Sequence, residues 1–148
     1  MEAVLFMGVQ ATGKSTFFAR RFLDTHLRLN MDMLGTRHRE SVLLEAFIRA
    51  KARFVVDNTN PTRRERRRYI DPAKAAGYRI VGYYFSSSLA VALQRNAGRP
   101  EPVPEIGIRG TYARLELPDG SEGFDELYFV RLDGSGTFEV EDWQDEVR

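Results

Sequence analysis

The chain contains no cysteine, which excludes disulfide bridges, thiolate metal sites and thiol nucleophiles. It has only two histidines, His26 and His38, which leaves no ligand set for a structural zinc site. No apolar run approaches the roughly 20 residues that span a bilayer. An apolar run at residues 3–7 and a glycine motif directly behind Glu2 leave no room for a signal peptide, so a cytoplasmic location is the expectation. Internal repeats, low-complexity tracts and dividing linkers are also missing. The 148 residues, 43% hydrophobic and 29% charged, are therefore expected to form one globular domain, residues 1–148. A net charge of +1 gives no strong sign overall, but it hides an asymmetry. The middle carries Arg63, Arg64, Arg66, Arg67, Arg68, Arg79, Arg95 and Arg99, and the end carries Glu139, Glu141, Asp142, Asp145 and Glu146. A basic middle suits a polyanionic ligand without demanding one.

What the chain does contain is organised around one stretch. Gly8-Val9-Gln10-Ala11-Thr12-Gly13-Lys14-Ser15-Thr16 fits G-x-x-x-x-G-K-[ST] and follows residues 3–7 in the strand, loop, helix order of a phosphate-binding loop. Gly8 and Gly13 let the backbone turn through conformations closed to residues with a side chain, so that successive N–H groups face an anion. A helix beginning near Lys14 adds the positive end of its dipole. Lys14 reaches the β- and γ-phosphates of a nucleoside triphosphate, the Ser15 hydroxyl is placed for Mg²⁺, and Thr16 completes the binding motif. A nucleoside triphosphate is the expected ligand, with Mg²⁺ arriving with it.

Residues 3–7, apolar without interruption, read as a central strand buried on both faces. Phe17, Phe18, Phe22 and Leu23 recur at helical spacing, so the first helix is expected to lay an aromatic stripe on the sheet. Residues 27–30 form a second strand that delivers Asp32 just past its carboxyl end, where ligands bind in open α/β sheets. Asp32 is thus a site acid or a helix-start aspartate. Arg37-His38-Arg39 either touches an acceptor or marks a solvated helix entrance before the stripe Val42, Leu43, Leu44, Phe47 and Ile48. Residues 53–57 are a β-branched run ending in Asp57, the form of an acid that orients Mg²⁺ or its waters. For the next helix, Asn60 with Pro61 competes with a Thr62/Glu65 capping box, and Gly77 is the stop. Its five arginines spread over several faces as a solvated surface or a phosphate track. Residues 78–85 read as a strand and 89–96 as a helix. Arg95 and Arg99 then bracket Asn96-Ala97-Gly98, forming either a lid over a triphosphate or a cationic helix end. A further helix over 105–117, a turn at 118–120, a strand over 127–132 and an edge strand over 137–143 complete the expected elements.

These separated pieces resemble the kinase domain of polynucleotide kinases. The Walker A loop, Asn30-Met31-Asp32-Met33-Leu34-Gly35, Val56-Asp57-Asn58-Thr59-Asn60-Pro61, Arg95-Asn96 with Arg99, Val103-Pro104 and Glu122-Gly123-Phe124 stand in that family's order, from the first strand to Val130. The resemblance implies a three-layer α/β P-loop NTPase fold with a mostly parallel sheet and a helical lid at about residues 95–104. It implies transfer of the ATP γ-phosphate to the 5′-hydroxyl end of DNA or RNA. On that reading Lys14 and Ser15 hold the triphosphate and Mg²⁺, and Asp57 supports the metal. Asp32 is the general base, and Arg99 with Arg95 forms the lid arginines that stabilise the phosphoryl group in flight. Two departures stand out. No D-x-D-x-[TV] phosphatase signature is present, and Gly35 occupies the place where the phage enzyme uses an arginine on the acceptor's phosphate, with Arg37 the nearest replacement.

Two other functions use the same loop. One is a P-loop kinase of a small hydroxyl-bearing molecule, since in-line transfer needs only positioning and charge neutralisation. The other is a non-catalytic ATP-binding module. No membrane association and no obligate protein partner is expected in any of the three.

Overall fold

The computed structural model describes residues 1–144; Asp145 and Glu146, expected to fray, lie outside them. Strands β1 (Glu2–Met7), β2 (Leu27–Leu29), β3 (Phe54–Val56), β4 (Arg79–Phe85), β5 (Glu126–Leu132) and β6 (Phe138–Asp142) form one sheet in the order β2-β3-β1-β4-β5-β6. The first five are parallel, and β6 runs antiparallel to β5 at the edge. The expected α/β class, three layers on a mostly parallel sheet, is the one observed. Consecutive strands of a parallel sheet need crossovers, and these are the helices α1 (Lys14–Arg21), α2 (Met31–Leu34), α3 (Arg37–Arg49), α4 (Arg63–Ala75), α5 (Leu89–Ala97) and α6 (Glu105–Arg114).

Period-two alternation along β1 divides the core. Ala3 and Leu5 join Leu29, Phe54, Val56 and Ile80 on one face, under Leu44 of α3 and Tyr69, Ile70 and Ala73 of α4. Val4 and Phe6 point the other way, with Val55, Val81 and Phe85, onto Phe17, Phe18 and Phe22 at α1. The phenylalanines are core, as their spacing predicts. Leu23, expected in the same stripe, is instead 63% exposed, because α1 ends at Arg21 and the chain turns away after Phe22. On the opposite face only Leu44 of the α3 stripe is fully buried, while Val42 stays exposed.

The start of α4 settles on the second of the two caps that its sequence allows. Thr62 accepts from the Glu65 N–H and the Glu65 side chain returns to the Thr62 N–H, a complete capping box. Asn60 is left free to take φ +43° and donate to the Phe6 carbonyl at 2.7 Å. Four of the five arginines on α4 point to solvent or a half-exposed rim, but Arg66 is fully buried. Its guanidinium pairs with Glu122 at 3.1 Å and donates to the carbonyls of Asn60, Pro61 and Glu116. One charged side chain therefore ties α4 to the segment behind α6. That segment is extended rather than helical from Leu115 onward, since the Glu116 N–H is taken by the Pro61 carbonyl at 2.7 Å.

Strand β1 is flanked by β3 and β4, so the chain leaves it to opposite sides. The crevice outside the carboxyl ends of a parallel sheet opens at such a switch point.

Candidate nucleotide and acceptor site

The loop between β1 and α1 sits at that crevice. Gly8 has φ +145° and donates its N–H to the Thr59 carbonyl at 2.9 Å; a Cβ there would lie 3.1 Å from the Phe85 carbonyl oxygen. Gly13 has φ +95°, and a Cβ on it would come within 2.9 Å of the Phe138 ring, so β6 presses on the loop from the far side. Helix α1 starts at Lys14 with no side-chain cap and no acid in its first turn, which leaves its first N–H groups and its dipole to an anion. Lys14 is buried and folds back: Nζ donates to the Gly8 and Val9 carbonyls at 2.9 and 2.6 Å. Burial pushes its ammonium down to about 8, against the attraction of Asp57 and Asp32 and helped by the repulsion of Arg99.

A second wall comes from β2, β3 and the turns behind them. Asp57, at the end of β3, is almost wholly buried, and its Oδ2 lies 3.2 Å from the Ser15 Oγ. Asn30, the cap of α2, accepts from the Met33 N–H at 3.0 Å and donates to the Asp57 carbonyl at 2.6 Å. Asn58 accepts from the Met31 N–H at 2.9 Å, and the turn closes through Gly35, φ +82°, whose N–H reaches the Met31 carbonyl. These bonds fix the backbone on both sides of Asp32, which is exposed at the mouth of the cavity. Behind Asn58 lies Glu40, 1% exposed. It accepts from Asn58 Nδ2 and Tyr69 OH, both at 3.0 Å, and pairs with Arg37 at 2.8 Å.

The third wall is α5, the loop after it, and α6. Arg95 and Arg99 line the cavity from there. Asn96 faces the other way, buried, with its amide donating to the Val103 carbonyl at 2.8 Å and accepting from the Val103 N–H at 2.9 Å. Gln10 in the loop donates to Thr111 on α6 at 3.2 Å, and Val9 packs on Ala92 and Ile108.

The three walls enclose a cavity of about 520 Å³ lined by Gly13, Lys14, Ser15, Thr16, Asp32, Asp57, Arg95 and Arg99, together with Arg37, Glu65 and Arg114. Every expected site residue lines it except Gly8, which turns the loop beneath. Sequence reasoning missed Arg28, Asn30, Asn58 and Glu40. Arg28, a polar residue inside a short strand, and Glu40, an acid inside a helix, carry no signal of their own, whereas Asn30 and Asn58 stood in the Asn30–Gly35 and D-N-T-N-P blocks without being assigned a role. Ser15 and Asp57 present hard oxygens side by side, a donor set that fits Mg²⁺.

A strand, a glycine loop of this geometry and an uncapped helix start on a parallel sheet define a P-loop fold, a class whose loop binds nucleotide phosphates. The chain belongs to the AAA domain family, which it matches over residues 4–118. It is 31% identical over 130 residues to a bifunctional polynucleotide phosphatase/kinase of Schizosaccharomyces pombe, a match covering 83% of this chain and 32% of that protein. It is 25% identical over 142 residues to an L-seryl-tRNA(Sec) kinase of Methanococcus maripaludis, covering 82% of this chain and 55% of that protein. The chain thus spans about a third and about half of these two curated relatives. A gluconokinase structure from Sinorhizobium meliloti 1021 shares the fold, with a TM-score of 0.62 at 19% identity, over 88% of this chain and 82% of that one. Among the described residues no helix is long and apolar enough to cross a membrane.

Proposed function

We propose that the chain is a P-loop kinase domain that transfers the γ-phosphate of ATP to the 5′-hydroxyl end of DNA or RNA. The observation that carries this reading is the convergence of Lys14, Asp32, Arg95 and Arg99 on one cavity. A phosphate-binding loop alone serves binding; an acid and two cations facing it serve transfer. The acceptor class rests on the likeness to the fission-yeast phosphatase/kinase and on the D-N-T-N-P block.

In this reading the acceptor oxygen attacks the γ-phosphorus, the bond to the β,γ-bridging oxygen breaks, and ADP leaves. Asp32 takes the acceptor's proton. Lys14 neutralises the β- and γ-phosphates once it releases the loop carbonyls. Arg95 and Arg99, on a lid at about residues 95–104, close on the transferring group, where fixed guanidinium charge is most effective. Ser15 and Asp57 are the residues that would hold Mg²⁺, which would supply positive charge against the phosphates. Arg37, held by Glu40, faces the acceptor side. Residues 1–148 act as one domain in this account, in the cytoplasm.

The test is transfer of radiolabelled γ-phosphate to a 5′-hydroxyl oligonucleotide. Label on the oligonucleotide that disappears in Asp32→Asn, with ATP binding kept, supports the reading. The match to an L-seryl-tRNA(Sec) kinase favours one second reading, a hydroxyl acceptor of another kind, so a panel of small alcohols and an aminoacyl-tRNA belongs beside the oligonucleotide. Label confined to one of those moves the acceptor and keeps the site roles; ATP binding with no label on any acceptor leaves a binding module.

A further inference from the structure

Arg28 lies in the middle of β2, the edge strand next to β3, and projects to the α1 face of the sheet. Its Nε is 2.9 Å from Asp57 Oδ2, and one terminal nitrogen lies 2.8 Å from the same oxygen and 3.0 Å from Ser15 Oγ. The guanidinium thus bridges the two oxygen ligands assigned above to the divalent ion. Asp57 needs a counter-charge, because its side chain is only 2% exposed and a buried carboxylate left alone is costly. Arg28 supplies that charge from a side chain that is itself 26% exposed.

The same contact is incompatible with a metal in the same place. An oxygen that accepts the Nε–H of a guanidinium and has a second guanidinium nitrogen 2.8 Å away cannot also serve an octahedral cation or its waters in that direction. The guanidinium must leave first, and little else retains it. Its other contacts are the thioether of Met33 at 3.0 Å, itself an exposed residue, and the Phe18 ring at 5.5 Å from the centroid.

We propose that Arg28 is a displaceable internal counter-cation: it holds Asp57 and Ser15 while the loop carries no nucleotide, and yields to the divalent ion that arrives with the phosphates. Arg28 thereby sets the divalent-ion demand of the site and suppresses metal binding to the empty loop. The inference rests on the metal role proposed for Ser15 and Asp57.

Binding of Mn²⁺, followed by electron paramagnetic resonance with and without ADP, tests it without any acceptor. The nucleotide-free Arg28→Met protein should bind Mn²⁺ about tenfold more tightly than the original chain, the factor expected when a charge-assisted hydrogen bond to a buried carboxylate no longer competes. Its nucleotide-free melting temperature should fall and be restored by Mn²⁺, which should leave the original chain nearly unmoved. Arg28→Lys, which keeps the charge and loses the double contact, should lie between the two and serves if the methionine variant does not fold. Adding Asp57→Asn to Arg28→Met should remove the tight site. Equal Mn²⁺ affinity in all Arg28 variants overturns the proposal and leaves the metal site standing. No Mn²⁺ binding even with ADP overturns the metal reading and the proposal together, and failure to label an oligonucleotide touches neither.

Discussion

Lys14 carries a pH dependence of its own. With its ammonium lowered to about 8, it is charged at pH 7 and loses half its charge near pH 8. Nucleotide affinity should be full below that point and weaken as the pH rises through it. A triphosphate restores the proton, so calorimetry at pH 8 to 9 in buffers of different ionisation enthalpy should show proton uptake on binding. The same shift bears on stability with the opposite sense. Between about 8 and the ordinary lysine value of 10.5 the unfolded chain holds a proton that the folded one has released, so this group adds stability as the pH rises through that window. Arg66 sets a second expectation at the scale of one residue. Arg66→Ala leaves Glu122 and three carbonyls without their partner and should cost about 3–5 kcal/mol in urea unfolding, whereas Arg64→Ala, on the exposed face, should change stability by less than about 0.5 kcal/mol. The sequence places both arginines on one helix and does not separate them, because burial at residue 66 depends on where Glu116 and Glu122 arrive.

At the scale of elements, the loop between α5 and α6 hangs on Asn96. Its amide closes two hydrogen bonds to Val103 and sits between Arg95 and Arg99, so it fixes the segment that carries the proposed lid arginines. Asn96→Ala should cost about 1–3 kcal/mol and speed hydrogen exchange over residues 98–104. It should also weaken nucleotide binding several-fold while leaving the acceptor KM nearly unchanged. The cap of α4 is a smaller matter: Thr62→Ala should lose about 1 kcal/mol, read from the thermal midpoint, with no change in nucleotide affinity. Helix and strand types were legible along most of the chain because their periodicities are local. Their ends were less so. Helix α6 stops at Arg114, three residues before the expected end, because a backbone bond from Glu116 to Pro61 competes with the helix for that stretch, and such a partner is invisible to local pattern.

For the whole molecule, the aromatic rings of Phe6, Phe17, Phe22, Tyr83, Phe85 and Phe138 meet at centroid distances of 5.1–6.0 Å and join α1, the central strands and the edge strand β6. Phe17→Ala should destabilise the fold by about 3–5 kcal/mol, and because Phe138 also backs Gly13 it should loosen the phosphate loop as well. Since that loop forms only in the folded sheet, nucleotide at a hundredfold excess over its Kd should add about 2.7 kcal/mol and raise the melting temperature by roughly 5–10 °C. A scan with and without ATP and Mg²⁺ measures it. By itself the sequence determined the phosphate loop, the aromatic face of the first helix, the parallel α/β class and the acids that follow β2 and β3. Each is written in neighbouring residues, through glycine at a turn, period 3.6 or 2, or a polar residue at a strand end. Only the tertiary structure decided that Arg28 lies across Ser15 and Asp57, that Glu40 stands behind Asn58, and that Arg66 is buried against Glu122. Those pairings join residues 13 to 56 positions apart, and what brings them together is the strand order around β1, which packing of the two sheet faces selects and no local pattern encodes.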